Sequence, residues 1–582
     1  MPTKKSASEK SSPAGENQEQ ISELAREVQT MTEAVKSLQA IALKFLDLTQ
    51  AQTQMLAAQA RASITAAQIN IWGDDPYTEA VPTRNPGNPP PTAVGVPVSQ
   101  APDSLSVAIL APEPPADTYT PGTAEFRYWV AAEALIRGVN FWAPRLPVGT
   151  RWSTRDPQLQ ANLTAGEALN AFYNRDNGLN FFQQTVQNMT VFSGESSDVV
   201  CHELGHAILD AVRPQLFNAA NTETAAFHEA FGDMSSILTG LQLPLVRQQV
   251  LKETQGGPFN VNSRLSRLAE QLGWAIRQLS PGAVDPDCLR NAVNQFFYQD
   301  PFELPPSAPA RELSSEVHSF SRVFTGAFYD ALAGMLAING AVTDGNLVAV
   351  SQQMGQLLID AVLAAPVAPD YFSQVATAII QADRVRHNGR YQNILTSAFV
   401  RHGVLSPDIL DTLTSQPLPK VEQIDLPSSP PVIAGAIRRS ATRLGMTSVL
   451  TYGSAAEDDG FRRGFDELPE LPPVALAGVS GLGPELLVHA PVHPPLFSVA
   501  SAGAKPGQVD PSQAAREFVE DLLQEGRIDF GSTAVGLLDF GTPFKHKTHI
   551  LIDTPRGKLL QRTHFECAFC ATALEKQKPR LP

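Results

Sequence analysis

In DVVCHELGHAILDAVRP, residues 198–214, two histidines stand four apart and a glutamate follows the first. On a helix, positions i and i+4 share a face, so His202 and His206 can offer two ring nitrogens to one ion. Catalytic zinc takes three protein ligands and leaves a position for water, beside which Glu203 would serve as general base. The alternative is three polar residues on an ordinary amphipathic helix. Downstream, TETAAFHEAFGDMSSIL offers a second apolar helix with Glu229 and, one turn later, Asp233. Acids among Ala, Phe, Met, Ile and Leu need a reason to be buried. With Glu229 as third ligand, Asp233 lies on the same face and can accept the free ring N–H of His202, fixing its tautomer; a solvated acidic stripe is the plainer alternative.

Other candidates are thinner. His546, His549, His564, Cys567 and Cys570 are residue types that bind metal, but their spacing follows no strict zinc pattern. A half-buried hairpin followed by small apolar thiols is the plainer account of them, and whether the Cys567/Cys570 pair holds metal stays open here. Cys201 points about 100° round the helix from His202, a core position.

Elements must position these residues. From Ile21, the apolar residues Leu24, Val28, Met31, Val35, Leu38, Ala42 and Phe45 alternate spacings of three and four. That heptad seam predicts a coiled coil over residues 21–48 and a route to a homo-oligomer, with a single amphipathic helix packed on its own chain as the alternative. The chain divides into an N-terminal helical segment (1–73), a Pro-rich linker (74–121), a patterned body (122–405), a second Pro-rich linker (406–435) and a C-terminal extension (436–582). The extension mixes a helix at DPSQAAREFVEDLLQEG with a strand pair at THILIDTPRGKLLQRTHF. A net charge of −15 over 582 residues and a pI near 5.3 argue against nucleic acid or an anionic membrane as partner. The N-terminus carries no apolar signal-like segment, no uninterrupted apolar run would span a bilayer, and four cysteines fit a reducing setting. A cytoplasmic location is the default expectation, signal-independent export the other.

DVVCHELGHAILD followed by FHEAFGD resembles the thermolysin-like gluzincin metallopeptidases, and the resemblance covers residues 124–405. LNAFYNRDNGLNFF is similar to the end of that family's N-terminal lobe. SSEVHSFSRVFTGAFYDAL is similar to the segment bearing the histidine that stabilises the transition state, here His318, and CLRNAV puts Arg290 where the family has the arginine that helps hold the substrate carbonyl. The resemblance implies an α+β, two-lobed zincin body, with an N-terminal α+β lobe and a helical C-terminal lobe, flanked here by the heptad helix and the mixed extension. It also implies Zn2+ on His202, His206 and Glu229, Glu203 as base, and protein or peptide as substrate.

Four departures stand beside it. QLFNAA puts Phe217 where the family has a tyrosine that shares the oxyanion. His228 precedes the ligand glutamate where an asparagine is common, and supports His206 rather than the metal. No acidic cluster for structural calcium follows Glu229, which predicts no obligatory calcium. A heptad helix and a linker stand in place of a signal and propeptide. The sequence therefore predicts a zinc-dependent endopeptidase; the rival is an oligomeric scaffold or delivered cargo protein whose peptidase body is inert or only self-processing.

Overall fold

The computed structural model describes residues 67–77, 91–340, 342–407, 471–476, 479, 486–491, 510–530 and 547–567. The heptad seam and nearly all of the second linker lie outside them. From Ile69 onward the chain packs as one unit.

The first lobe is built on helix α1 (Ala124–Trp142), whose start is fixed by Thr123 accepting the Phe126 N–H at 3.2 Å. Its sheet contains β3 (Val107–Ile109), β4 (Leu159–Asn162), β5 (Ala171–Asn174) and β6 (Gly178–Phe181). A short strand far along the chain, β16 (Phe565–Glu566), completes it in the order β16–β5–β6–β4–β3. The pairs β3/β4 and β4/β6 are parallel, whereas β5 runs antiparallel to both β6 and β16. Strand β5 alternates buried Ala171 and Tyr173 with half-buried Phe172 and Asn174, the period-two pattern of a strand with one covered face. A hairpin of β7 (Gln183–Val186) and β8 (Met189–Phe192) leads from this sheet towards the centre.

Two helices cross the centre. Helix α2 (Ser197–Val212) is capped by Ser196 and α3 (Thr222–Gly240) follows after a short loop. Nearly every residue of both is buried, so they form the core itself rather than an amphipathic surface layer. Helices α4 (Pro244–Thr254) and α5 (Glu270–Leu279) come next, with a short antiparallel pair, β9 (Arg267–Leu268) and β10 (Arg290–Asn291), on either side of α5 in the chain. The second lobe packs α6 (Val317–Ile338), α7 (Asp344–Ala364), α8 (Tyr371–His387) and α9 (Gln392–Arg401) against α3 and one another. Helix α7 is long and apolar enough to cross a membrane by length and composition; here Leu347, Met354, Leu357 and Leu358 are fully buried in the body.

The structure departs from the sequence division at residues 74–121. Strand β1 (Gln68–Ile71), just before this stretch, pairs with β2 (Thr92–Gly95) inside it, and Ile69, Ile71 and Trp72 enter the main core. Asp74 and Asp75 are buried, Leu105 is buried, and β3 forms a sheet edge. Backbone pairing and isolated apolar anchors hold this stretch, and neither leaves a hydrophobic period to read. The C-terminal extension forms a second five-stranded sheet, ordered β11 (Pro473–Leu476), β12 (Leu486–His489), β15 (Gly557–Arg562), β14 (His549–Thr554), β13 (Ile528–Asp529), with α10 (Pro511–Gln524) against it. Its core residues Leu486, Val488, Phe518, Val519 and Leu560 pack with Ala220 and Ala225 of the body, and the Ala220 N–H donates to His489 O at 2.8 Å. The extension thus sits on the loop between α2 and α3, and the chain leaving β15 enters the cleft as β16.

Candidate metal centre

Close approach of α2 and α3 makes the site. A Cβ on Gly232 would lie 2.6 Å from His202 Cε1 and Nδ1, and one on Gly205 would lie 2.8 Å from Ser235 Cβ. The two glycines let the helices touch, which brings Glu229 beside both imidazoles: Oε2 is 3.3 Å from His202 Nε2 and Oε1 is 3.6 Å from His206 Nε2. Ligand atoms of His202, His206 and Glu229 all lie within 4.8 Å of one another. His202 Nε2, His206 Nε2 and Glu229 Oε2 are buried without a hydrogen-bond partner. Three converging, orphaned donors of N, N and O type are costly unless something binds them, and they suit a zinc ion that keeps a fourth position open.

The opposite ring nitrogens are held. His202 Nδ1 lies 3.0 Å from Asp233 Oδ1, and Arg290, on β10, grips the same carboxylate through Nε and Nη2 at 3.1 and 2.7 Å. Burial pushes the Asp233 carboxyl up, but the Arg290 guanidinium outweighs it and holds the group down at about 2. His206 Nδ1 lies 2.9 Å from His228 Nδ1, so His228 stands behind His206, away from the three converging atoms. Burial draws the His206 ring down to about 4, leaving it neutral and able to donate a lone pair to metal.

Glu203 is fully buried beside this group with neither carboxylate oxygen hydrogen-bonded. Burial, then the charge of Glu229, pushes its carboxyl well above the usual range, so it binds a proton readily. His318, near the start of α6, points Nε2 to within 3.3 Å of Glu229 Oε2 and is held through Nδ1 by Glu316 Oε1 at 2.6 Å. Burial lowers its ring pKa, but the carboxylates of Glu229 and Glu316 outweigh that and raise it to about 9. Phe217 is buried, with its ring centroid 5.5 Å from that of Phe565. It brings no hydroxyl to the site.

All seven site residues expected from the sequence therefore come together: His202, Glu203, His206, Glu229, Asp233, Arg290 and His318. Glu316, Asn170 and the C-terminal strand escape sequence reasoning. Glu316 sits two positions before His318, caps α6 and also accepts the Ser319 N–H at 3.0 Å, a signal present in SSEVHS as an N-cap acid. The five-residue His/Cys group is not assembled among the described residues. His549 packs 5.8 Å from the Phe518 ring, His564 lies 4.9 Å from Phe172, and Cys567 lies in the cleft, with ligand atoms of His202 and Glu203 within 4.8 Å. His546 and Cys570 fall outside the described residues.

A buried acidic cluster lies elsewhere in the body. Carboxylate oxygens of Asp75, Asp198 and Glu270 lie within 4.8 Å of one another, and Glu270 Oε2 has no hydrogen-bond partner. Asp75 reaches it from the N-terminal stretch and accepts the Ser196 hydroxyl at 2.6 Å, a juxtaposition that no local sequence pattern encodes. Oxygen-only donors of this kind suit a hard divalent cation.

A family match agrees with this chemistry. Residues 179–405 match the fungalysin metallopeptidase (M36) family. The precursor of protealysin, a metalloproteinase from Serratia proteamaculans, is similar at 18% identity, covering 50% of this chain and 83% of its own, with a TM-score of 0.33. No curated protein matches. The family match and the ligand set point the same way: residues 179–405 are similar to the fungalysin metallopeptidases and carry the ligand set of a zinc metalloendopeptidase.

Proposed function

We propose that the chain hydrolyses internal peptide bonds of protein or peptide substrates with Glu203 as general base, His318 and Arg290 as the carbonyl-holding groups, and His202, His206 and Glu229 as the residues that hold zinc. When bound, the ion supplies Lewis acidity and lowers the pKa of water. Glu203 takes the proton of the attacking water, since its unpaired carboxylate lies beside the ligand group, and passes it to the departing amine. The His318 ring, held by Glu316 as a donor, steadies the oxygen on which charge builds. Arg290 bonds the next carbonyl along the substrate while Asp233 fixes its fork. Asp233 in turn orients His202.

The observation that carries this reading is the convergence of three orphaned ligand atoms beside an unpaired buried carboxylate. Role separation gives the test. Glu203→Gln should keep about one zinc per chain by metal analysis while losing nearly all cleavage of casein, whereas His202→Ala and Glu229→Ala should lose zinc and cleavage together. Full activity in Glu203→Gln, or metal loss equal to that of Glu229→Ala, would overturn the assignment. An inert scaffold predicts no casein cleavage in any variant, including the parent chain.

A further inference from the structure

The two groups assigned to hold a substrate's carbonyls are already engaged, by the chain's own C-terminal strand. His318 Nε2 lies 2.5 Å from Glu566 O, and Arg290 Nη1 donates to Cys567 O at 2.8 Å. The peptide bond between Glu566 and Cys567 lies between those two carbonyls. The Cys567 N–H, on the other side of that bond, donates to Ala171 O at 2.9 Å. Strand β16 runs antiparallel to β5, with Phe565 opposite Tyr173 and Glu566 opposite Phe172. Adding an extended segment to a sheet edge is a general way to bind a peptide, with backbone bonds supplying affinity and side-chain contacts supplying register.

Here the register is fixed by charged and aromatic contacts. The Phe565 ring stacks 3.9 Å from His228 and 5.0 Å from His206. The Glu566 carboxylate, buried at 4% exposure, takes Asn170 Nδ2 at 2.9 Å on one oxygen and Arg527 Nη1 on the other. A one-residue slip would strand that carboxylate without partners, which is costly in a buried site. Just upstream, Arg562 anchors the strand to the loop between α2 and α3, bonding Phe217 O at 3.1 Å and taking Asn218 Oδ1 on its own N–H at 3.2 Å. Beside the strand remains a cavity of about 30 Å³, lined by Glu229, His318, Phe565 and Glu566 among others, which is room for water but not for a second peptide.

We propose that the C-terminal strand is the enzyme's own substrate: the Glu566–Cys567 bond lies across the reacting centre and is cleaved there in cis. The proposal rests on the peptidase reading above. One water is consumed. Its oxygen bonds to the Glu566 carbonyl carbon, the C–N bond to Cys567 breaks, and both protons of the water go to the Cys567 nitrogen, the first through Glu203, so that it leaves as an ammonium group. The products are a chain ending in the Glu566 carboxylate and the peptide Cys567–Pro582, with no change of oxidation state. The tether makes the step intramolecular, so its rate is independent of protein concentration.

The experiment uses the full chain. Zinc-loaded parent protein, followed by intact-mass spectrometry over about a 100-fold range of dilution, should lose Cys567–Pro582 at one constant rate, while zinc-loaded Glu203→Gln stays full length. In Glu203→Gln the Cys567 amide should exchange hydrogen at least about 100-fold more slowly than in an unfolded chain. Adding Phe565→Ala, which removes the stack on His228 and His206 while leaving every ligand side chain in place, should speed that exchange at least about 10-fold. Cleavage at a neighbouring bond overturns the register, and a rate that rises with concentration overturns the intramolecular step. A parent chain that cuts casein but keeps its own C-terminus overturns the proposal and leaves the peptidase reading standing; one that cuts neither overturns both. Rapid exchange at Cys567 in Glu203→Gln removes the docking itself.

Discussion

Gly232 shows how far a single missing atom decides the chemistry. Its backbone faces the His202 ring so closely that a methyl group would sit 2.6 Å from two ring atoms. Gly232→Ala must therefore shift either the imidazole or α3. Displacing a ligand or its supporting bond typically costs about 10- to 100-fold in metal affinity. We expect Gly232→Ala to fold, by circular dichroism, and to bind zinc at least about 10-fold more weakly in competition with a chromophoric chelator; unchanged affinity would mean that the helices separate without moving the ligands. For His318, truncation to alanine removes the donor to the carbonyl oxygen, and Phe217 brings no hydroxyl to replace it. His318→Ala should lower kcat by at least about 100-fold with little change in KM on a fluorogenic peptide. A wild-type rate would place the oxyanion elsewhere. The ligands and Glu203 were legible because four-residue helical spacing is local. Asn170 and Phe565 were not, since 396 residues separate Asn170 from the Glu566 it binds, and no local pattern encodes that pairing.

Among the elements, α3 carries a second buried acid with a structural task. Glu223, in its first turn, accepts the Tyr298 hydroxyl at 2.6 Å and the Phe372 N–H at 2.8 Å, tying α3 to the start of α8. Burial raises its carboxyl to about 8 against an ordinary 4.5; those two bonds oppose the shift, while the charges of Asp370 and Asp300 add to it. The folded state therefore holds a proton that the unfolded state releases. Stability is fully present below about pH 4.5 and falls as pH rises through about 8. Urea unfolding of the Glu203→Gln chain should show this decline, and Glu223→Gln should flatten part of it; an unchanged pH slope would mean the carboxyl ionises freely in the fold. The central helices were legible as apolar segments with caps. The stretch 74–121 was not, because β3 is held by backbone pairing with β4, and three residues carry no readable period.

At the scale of the whole molecule, described segments from early and late in the sequence converge on one body. The C-terminal strand enters the cleft, and the N-terminal stretch supplies Trp72, edge-on to Phe126 at 5.1 Å, together with Asp75 for the acidic cluster. A boundary at residue 73 would sever β1 from its partner β2, so the separable segment ends before Gln68. A Glu203→Gln chain starting at residue 67 should keep the urea midpoint of the full-length Glu203→Gln chain, and light scattering should show a smaller assembly if the heptad seam associates; equal oligomeric order would mean that the seam does not. Trp72→Ala in either chain removes a large, fully packed side chain and should cost about 3 kcal/mol or more. Asp75→Asn tests the acidic cluster separately. If a hard cation sits among Asp75, Asp198 and Glu270, millimolar calcium raises the midpoint of the parent by mass action, and Asp75→Asn, which removes one anionic oxygen donor while keeping the side-chain shape, loses most of that gain. A calcium response equal in both chains would place the ion elsewhere, and no response in the parent would leave the cluster held by its protons alone.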